Sequence, residues 1–232
     1  MSIKALLFDM DDTLYDFSAT WQTVTRRMLE ELLAPYPIDP AEIWPRFVRC
    51  DTTLFDYVNS GSLPAMVARR LRWQFLEVVY DITIPNLSDL LERHTRSMRR
   101  ECVPFPETKT VVSQLAGRFR LAVVTNGPAD LLGGRLDSIE LSAYFPPTLR
   151  IAADAVGAFK PDPKIFRVAL EKLRVMAAEC LFIGDSWSYD VVGASALGIP
   201  VVWYNPRRLP CPDPSLIVAD IPSLTRLPAL LR

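Results

Sequence analysis

The sequence predicts an α/β protein, a Rossmann-like parallel sheet core with helices on both faces and an inserted all-helical domain near its start. Three observations carry this. The chain opens with a short apolar strand that runs into carboxylates, Leu6-Leu7-Phe8-Asp9-Met10-Asp11-Asp12-Thr13. Residues 17–100 show helical periodicity and no convincing strand. From about residue 103 strands and helices alternate, the pattern of a parallel sheet covered on both sides. At 232 residues the chain is long enough for one domain carrying an insert.

Ala5 to Phe8 reads as a strand buried on both faces, because it lacks polar alternation. While the backbone stays extended, Asp9 and Asp11 project to the same side. Two carboxylates at about 4 Å repel by roughly 4 kcal/mol at an effective dielectric of 20, so a fold that gathers them calls for a cation. Oxygen-rich acidic sites that meet phosphate usually hold Mg²⁺. An acidic turn capping the strand is the bland alternative, and the segment needs support from downstream.

In the insert, Trp21, Val24, Met28 and Leu32 recur at helical spacing, as do Ile43 and Phe47, then Val67, Leu71, Phe75 and Val78. Pro35, Pro37, Pro40 and Asn59-Ser60-Gly61 punctuate these helices, and Pro85-Asn86 opens another through Leu90 and Leu91. The arginines, among them Arg69, Arg70, Arg72, Arg93 and Arg96, read as a solvated face balanced by nearby acids. His94 reads as an exposed, incidental histidine. Phe17, Trp21, Phe55, Tyr57 and Trp73 read as core residues first, and as an apolar substrate pocket second.

After the insert, Glu107–Ala116 is an amphipathic helix ended by Gly117, and Arg120–Val124 a strand running into Thr125-Asn126-Gly127. The helix from Pro128 contains Gly133-Gly134, a weak point costing about 1 kcal/mol per glycine, where it could break. Leu149–Ala153 is a short strand. Asp162 and Pro163 supply an N-cap and a first helical residue, followed by the apolar stripe Phe166, Leu170 and Leu173. The strand Cys180–Ile183 ends in Gly184-Asp185-Ser186, followed by a small-residue helix over Val191–Leu197, a strand over Ile199–Tyr204, a last strand over Leu216–Val218 and a terminal helix.

A net charge of −1 gives no electrostatic case for a nucleic-acid polymer or an anionic membrane. The four cysteines stand singly, without a C-x-x-C pair, so neither a zinc knuckle nor a disulfide framework is expected. No signal-peptide pattern and no spanning apolar run is present, and the expectation is a cytoplasmic protein. Whether it is a monomer or a homodimer is not legible.

Asp9 and Asp11, Thr125, and Asp185 each fall at the carboxyl end of a predicted strand, where open α/β sheets bind ligands. Lys160 precedes a helix in a loop able to reach the same edge. Each has a bland reading as turn, cap or surface residue; together, in this order, they resemble the haloacid dehalogenase-like hydrolase superfamily. Its four motifs are matched by Asp9-Met10-Asp11-Asp12-Thr13, by Thr125 within Val-Val-Thr-Asn-Gly, by Lys160 within Lys-Pro-Asp-Pro, and by Gly184-Asp185-Ser186 with Asp190. The resemblance implies a catalytic core of residues 1–16 and 103–232 and a helical cap over residues 17–102.

It further implies a Mg²⁺-dependent phosphatase acting on a small-molecule phosphomonoester. Asp9 would be the nucleophile that becomes an aspartyl phosphate, and Asp11 the general acid and base. Mg²⁺ would be held by Asp9, Asp185 and the carbonyl of Asp11, with Asp190, Thr13 and Ser186 behind them. Thr125 and the N–H of Asn126 would hold phosphate oxygens, and Lys160 would neutralise the nucleophile and the transferring group. Asp12, glycine in many relatives, reads as structural. Asp11 argues against a dehalogenase, and the lack of lysine between Lys4 and Lys109 against a phosphonatase. A sugar phosphomutase and a non-catalytic binding protein remain as alternatives, while a signalling receiver is half this length. Thr-Asn-Gly and Trp203-Tyr204-Asn205 look like the branch containing nucleoside monophosphatases; a sugar phosphate or nucleoside monophosphate is the expected substrate type.

Overall fold

The computed structural model describes residues 2–231. They form two compact units, one made of the segment ending at Phe17 together with that from Cys102 onward, the other of Ser18–Glu101. Strand β1 (Ala5–Phe8) and the two-residue β2 (Tyr15–Asp16) come first.

The helical unit follows, with α1 (Phe17–Leu33), α2 (Pro40–Asn59), α3 (Ala65–Tyr80) and α4 (Leu87–Arg100). Asp39 caps α2 by accepting from the N–H of Ala41 at 2.8 Å, and Asn86 caps α4 by accepting from that of Asp89 at 3.0 Å. Helix α3 forms where the periodicity places it, but it buries a different face. Ala68, Arg72, Trp73 and Leu76 point inward, while Val67, Leu71 and Val78 are exposed. Trp73 decides the rotation: its ring packs between Phe47, at 5.3 Å, and His94, at 5.7 Å between centroids. Two further expectations are corrected. Arg72 is buried in an ion pair with Asp51, and Arg69 is buried beside it. His94 is buried too, 3.0 Å from the Thr25 hydroxyl. Of the aromatic residues weighed as a pocket, Trp21 and Trp73 are core; Phe55 and Tyr57 are exposed.

The rest of the chain comprises β3 (Val103–Pro104), α5 (Thr108–Ala116), β4 (Arg120–Thr125), α6 (Ala129–Ser138), β5 (Arg150–Ala152), α7 (Ala153–Val156), α8 (Pro163–Leu173), β6 (Cys180–Gly184), α9 (Val192–Ser195), β7 (Val201–Tyr204), β8 (Ala219–Ile221) and α10 (Leu227–Leu230). Six parallel strands form one sheet in the order β5-β4-β1-β6-β7-β8. Alternate residues of β1 feed two cores: Leu6 and Phe8 pack with Val112, Leu115, Leu132 and Leu136 of α5 and α6, while Ala5 and Leu7 pack with Phe166, Ala169 and Leu173 of α8. The α/β architecture with helices on both faces is therefore present.

Several details depart from expectation. Helix α6 runs through Gly133-Gly134 without a break, held by Leu131, Leu132, Arg135 and Leu136 on its buried side. The last strand lies three residues later than expected, because Pro214–Leu216 forms a 3₁₀ turn. The helix after β6 begins as one wide π turn, Trp187–Val191, before α9. A two-stranded antiparallel sheet of β2 and β3 pairs Tyr15 with Pro104 and Asp16 with Val103, tying together the chain segments that flank the helical unit. Among the described residues no helix is long and apolar enough to cross a membrane.

Candidate active site

Strands β4, β1 and β6 are neighbours, so Thr125, Asp9 and Asp185 arrive side by side at their carboxyl ends. Asp9 still belongs to the ladder, donating its N–H to the carbonyl of Ile183 at 2.9 Å. Beyond it the chain turns sharply, with Asp12 in the left-handed region at φ 57°. That conformation is easy for glycine and tolerable for aspartate, which fits the structural reading of Asp12.

Lys160 reaches the same place from the loop before α8, whose N-terminus Asp162 caps by accepting from the N–H of Lys164 at 2.8 Å. The Asn126 side chain grips this loop twice. Its Oδ1 accepts from the N–H of Lys160 at 2.7 Å, and its Nδ2 donates to the Lys160 carbonyl at 3.1 Å. So held, the Lys160 ammonium lies 2.5 Å from Asp9 Oδ1 and 2.6 Å from Asp190 Oδ1, all three buried. Burial opposes its charge, but Asp190 and Asp9 outweigh it and hold the lysine pKa well above its ordinary value. Burial in turn pushes Asp9 well above the usual carboxylate range, with Lys160 pulling the other way. Asp185 is pushed up to about 7, chiefly by burial and then by the charge of Asp190.

Asp9, Asp185 and Asp190 each bring a carboxylate oxygen within 4.8 Å of the others. Their remaining contacts separate their roles. Asp190 is fully engaged, one oxygen taken by Lys160 and the other by the N–H of Ser186 at 3.0 Å. Asp9 Oδ2 and Asp185 Oδ1 meet the Thr13 hydroxyl at the longer distances of 3.3 and 3.4 Å. A hard, oxygen-liganded divalent cation fits the donor set between these last two atoms. Thr13 also accepts from the N–H of Asp185 at 3.1 Å, which fixes the two loops together. Ser186 Oγ accepts from the N–H of Tyr189 at 3.3 Å and starts the π turn that brings Asp190 inward.

Gly184 and Gly127 are set by close approach. A Cβ at Gly184 would lie 2.3 Å from Asp190 Oδ2. One at Gly127 would lie 2.8 Å from Asp11 Oδ2 and 3.0 Å from Thr125 Oγ1. The Thr125 hydroxyl accepts from the N–H of Gly127 at 2.8 Å, which fixes the oxygen within that turn.

Sequence reasoning missed two side chains. Arg135, buried on α6, sets Nη1 2.8 Å from Asp11 Oδ1. Tyr15 donates its hydroxyl to the same oxygen at 2.6 Å. The signal for Arg135 was a basic residue on the apolar stripe Leu131, Leu132, Leu136. Trp203 was noted only as part of a motif; its Nε1 donates to the Asp185 carbonyl at 2.8 Å and steadies that loop.

This arrangement is an open parallel α/β sheet with acidic, threonine and lysine groups gathered at its carboxyl edge. The family model of haloacid dehalogenase-like hydrolases matches residues 3–198, and the chain belongs to that family. It is 32% identical to a plasmid-borne phosphoglycolate phosphatase of Cupriavidus necator, over 98% of this chain and 92% of that one. It is 24% identical to the pyrimidine 5′-nucleotidase YjjG of Escherichia coli, over 97% and 96%. The magnesium-bound crystal structure of the HAD-hydrolase YfnB from Bacillus subtilis superposes with a TM-score of 0.81 at 24% identity, covering both chains completely. A 2-haloacid dehalogenase from Pseudomonas syringae pv. Tomato DC3000 shares the fold too, with a TM-score of 0.74 at 27% identity over 99% of this chain and 98% of its own. Relatives named as phosphatases support phosphatase activity of the family's kind for this chain.

Proposed function

We propose that the protein is a Mg²⁺-dependent phosphatase that hydrolyses a small phosphomonoester, of the sugar phosphate or nucleoside monophosphate type, through an aspartyl phosphate. The observation that carries this reading is the second carboxylate: Asp11 lies beside the Asp9–Lys160 pair and next to Thr125. In a dehalogenase the group displaced by the nucleophile is a halide ion, which leaves without a proton, so that step has no use for a general acid here.

In this reading Asp9 attacks phosphorus, the bond to the ester oxygen breaks, and Asp11 gives that oxygen its proton. Water then attacks the aspartyl phosphate and loses a proton to Asp11. The acyl phosphate P–O bond breaks, and Asp9 returns as a carboxylate while inorganic phosphate leaves. Thr125 and the N–H of Asn126 hold the phosphoryl oxygens, and Lys160 offsets negative charge on Asp9 and on the transferring group. Asp9, Asp185 and the Asp11 carbonyl would hold Mg²⁺, which supplies positive charge against the carboxylates and the phosphoryl oxygens. The helical unit would serve as the cap that selects substrate and excludes water.

The test is phosphate release from a panel of nucleotides, sugar phosphates and p-nitrophenyl phosphate, with and without Mg²⁺. Native protein is expected to release phosphate only with the metal, and Asp9→Asn not at all. Release that persists in Asp9→Asn sinks the mechanism.

A further inference from the structure

We infer that Arg135 and Tyr15 are positioning residues for the general acid: together they pin one oxygen of Asp11 and leave the other to exchange the proton with the leaving group. This rests on the phosphatase reading above.

Both groups converge on a single atom. Arg135 Nη1 donates to Asp11 Oδ1 at 2.8 Å and the Tyr15 hydroxyl donates to it at 2.6 Å. Asp11 Oδ2 lies instead towards the Thr125–Gly127 turn, so close that only a residue without a Cβ fits there. The two oxygens of one carboxylate are thereby made unequal, one bound from behind and one turned towards the threonine.

Arg135 sits too deep to be a substrate contact. Its side chain is 4% exposed while that of Asp11 is 22% exposed, so the carboxylate stands between the guanidinium and solvent. Its Nε is buried without a partner, and its charge lies over the rings of Tyr15 and Phe17, at 5.8 and 5.4 Å from their centroids. A guanidinium buried at this cost on the apolar face of a short helix is compensated by the carboxylate it holds. Tyr15 is fixed in turn by the β2–β3 pairing at the junction, so the clamp is built on backbone that does not depend on bound substrate. Burial and the charge of Asp11 keep the tyrosine protonated, as a donor must be.

The clamp matters only when the leaving group needs a proton. An alkoxide leaves with difficulty unless protonated, whereas p-nitrophenolate leaves as the anion. Because kcat/KM reports steps up to departure of the leaving group, it separates the two cases. Arg135→Gln is expected to lower kcat/KM by about 100-fold for an alkyl phosphate and by less than about tenfold for p-nitrophenyl phosphate. Tyr15→Phe removes one hydroxyl from a buried ring, is expected to shift the same ratio in the same direction by a smaller factor, and carries the test should Arg135→Gln fail to fold. Equal losses on both substrates, in whichever variants are folded by circular dichroism, overturn the positioning role. Native protein inactive on every phosphomonoester with Mg²⁺ overturns the phosphatase reading as well, so the two failures are told apart.

Discussion

Nζ of Lys160 lies 2.6 Å from Oδ1 of Asp190, and both side chains are closed to solvent. The lysine therefore belongs to a buried ion cluster as well as to the candidate chemistry. Lys160→Met leaves Asp9 and Asp190 facing each other without a cation, and removing one partner of a buried pair costs about 3–5 kcal/mol. The urea midpoint should fall accordingly and phosphate release should vanish. In the double variant with Asp190→Asn part of the stability should return, since one uncompensated charge is gone. Additive losses in that cycle count against the cluster.

Gly184→Ala tests Asp190 from its other side. The new methyl would stand 2.3 Å from Oδ2, so the carboxylate has to leave the N–H of Ser186 and loosen its hold on Lys160. Overpacking of this sort costs about 1–3 kcal/mol. The expected result is a folded protein with a lower melting temperature and at least about tenfold weaker activity. A melting temperature and activity equal to native mean that Asp190 has room the structure does not show.

The burial of Asp185 makes metal-free stability depend on pH. Its folded pKa of about 7 stands above the reference value of 3.8. The folded state thus holds a proton that the unfolded chain releases, and the stabilisation present below about pH 4 is lost as pH rises through 7. The slope is at most about 1.4 kcal/mol per pH unit over that window. A divalent cation favours the ionised form, so the rise in melting temperature on adding Mg²⁺ should be larger at pH 8 than at pH 5.5. An increment independent of pH argues against Asp185 as a ligand.

Thiol chemistry separates the cysteines by depth. Burial pushes Cys180 up to about 12 and Cys102 up to about 11, which suppresses the reactive thiolate. Cys50 and Cys211 are only half-buried. An aromatic disulfide reagent at pH 8 should modify at most two thiols quickly in native protein, and all four in denaturant. Rapid modification of Cys180, located by peptide mapping, means that β6 opens more readily than its full burial implies.

The alternation of strands and helices in the core, and the residues meeting at the strand ends, were legible because each element is marked locally. An apolar run ending in Asp9, a Thr-Asn-Gly turn, and Asp162-Pro163 opening α8 are each visible as elements within a few residues, and their order along the chain is what joined them into one site. What was not legible depends on partners distant in sequence. Arg135 gains its meaning from Asp11, 124 residues away, and Tyr15 is held by its pairing with Pro104, far along the chain. Strand β8 slipped by three residues because Pro214 and Ser215 form a 3₁₀ turn capped by Asp213, whose Oδ1 accepts from the N–H of Ser215 at 2.9 Å. The helical unit shows the same limit: periodicity found its helices and, in α3, missed the buried face.

That rotation of α3 gives the last prediction. Val67, Leu71, Phe75 and Val78 form the more hydrophobic stripe by sequence, and on periodicity alone Val78 belongs in the core. The structure puts Val78 at 83% exposure and Trp73 at 0%. Trp73 wins because it fills the space between Phe47 and His94, and because Arg72 beside it finds Asp51 and can be buried at tolerable cost. Val78→Lys should therefore change stability by no more than about 0.5 kcal/mol, the range of exposed substitutions. Trp73→Ala should cost about 3–5 kcal/mol through the cavity it leaves. Chemical denaturation of the two variants decides between the faces: a large loss in Val78→Lys with a small one in Trp73→Ala would mean that α3 packs by its valine stripe after all.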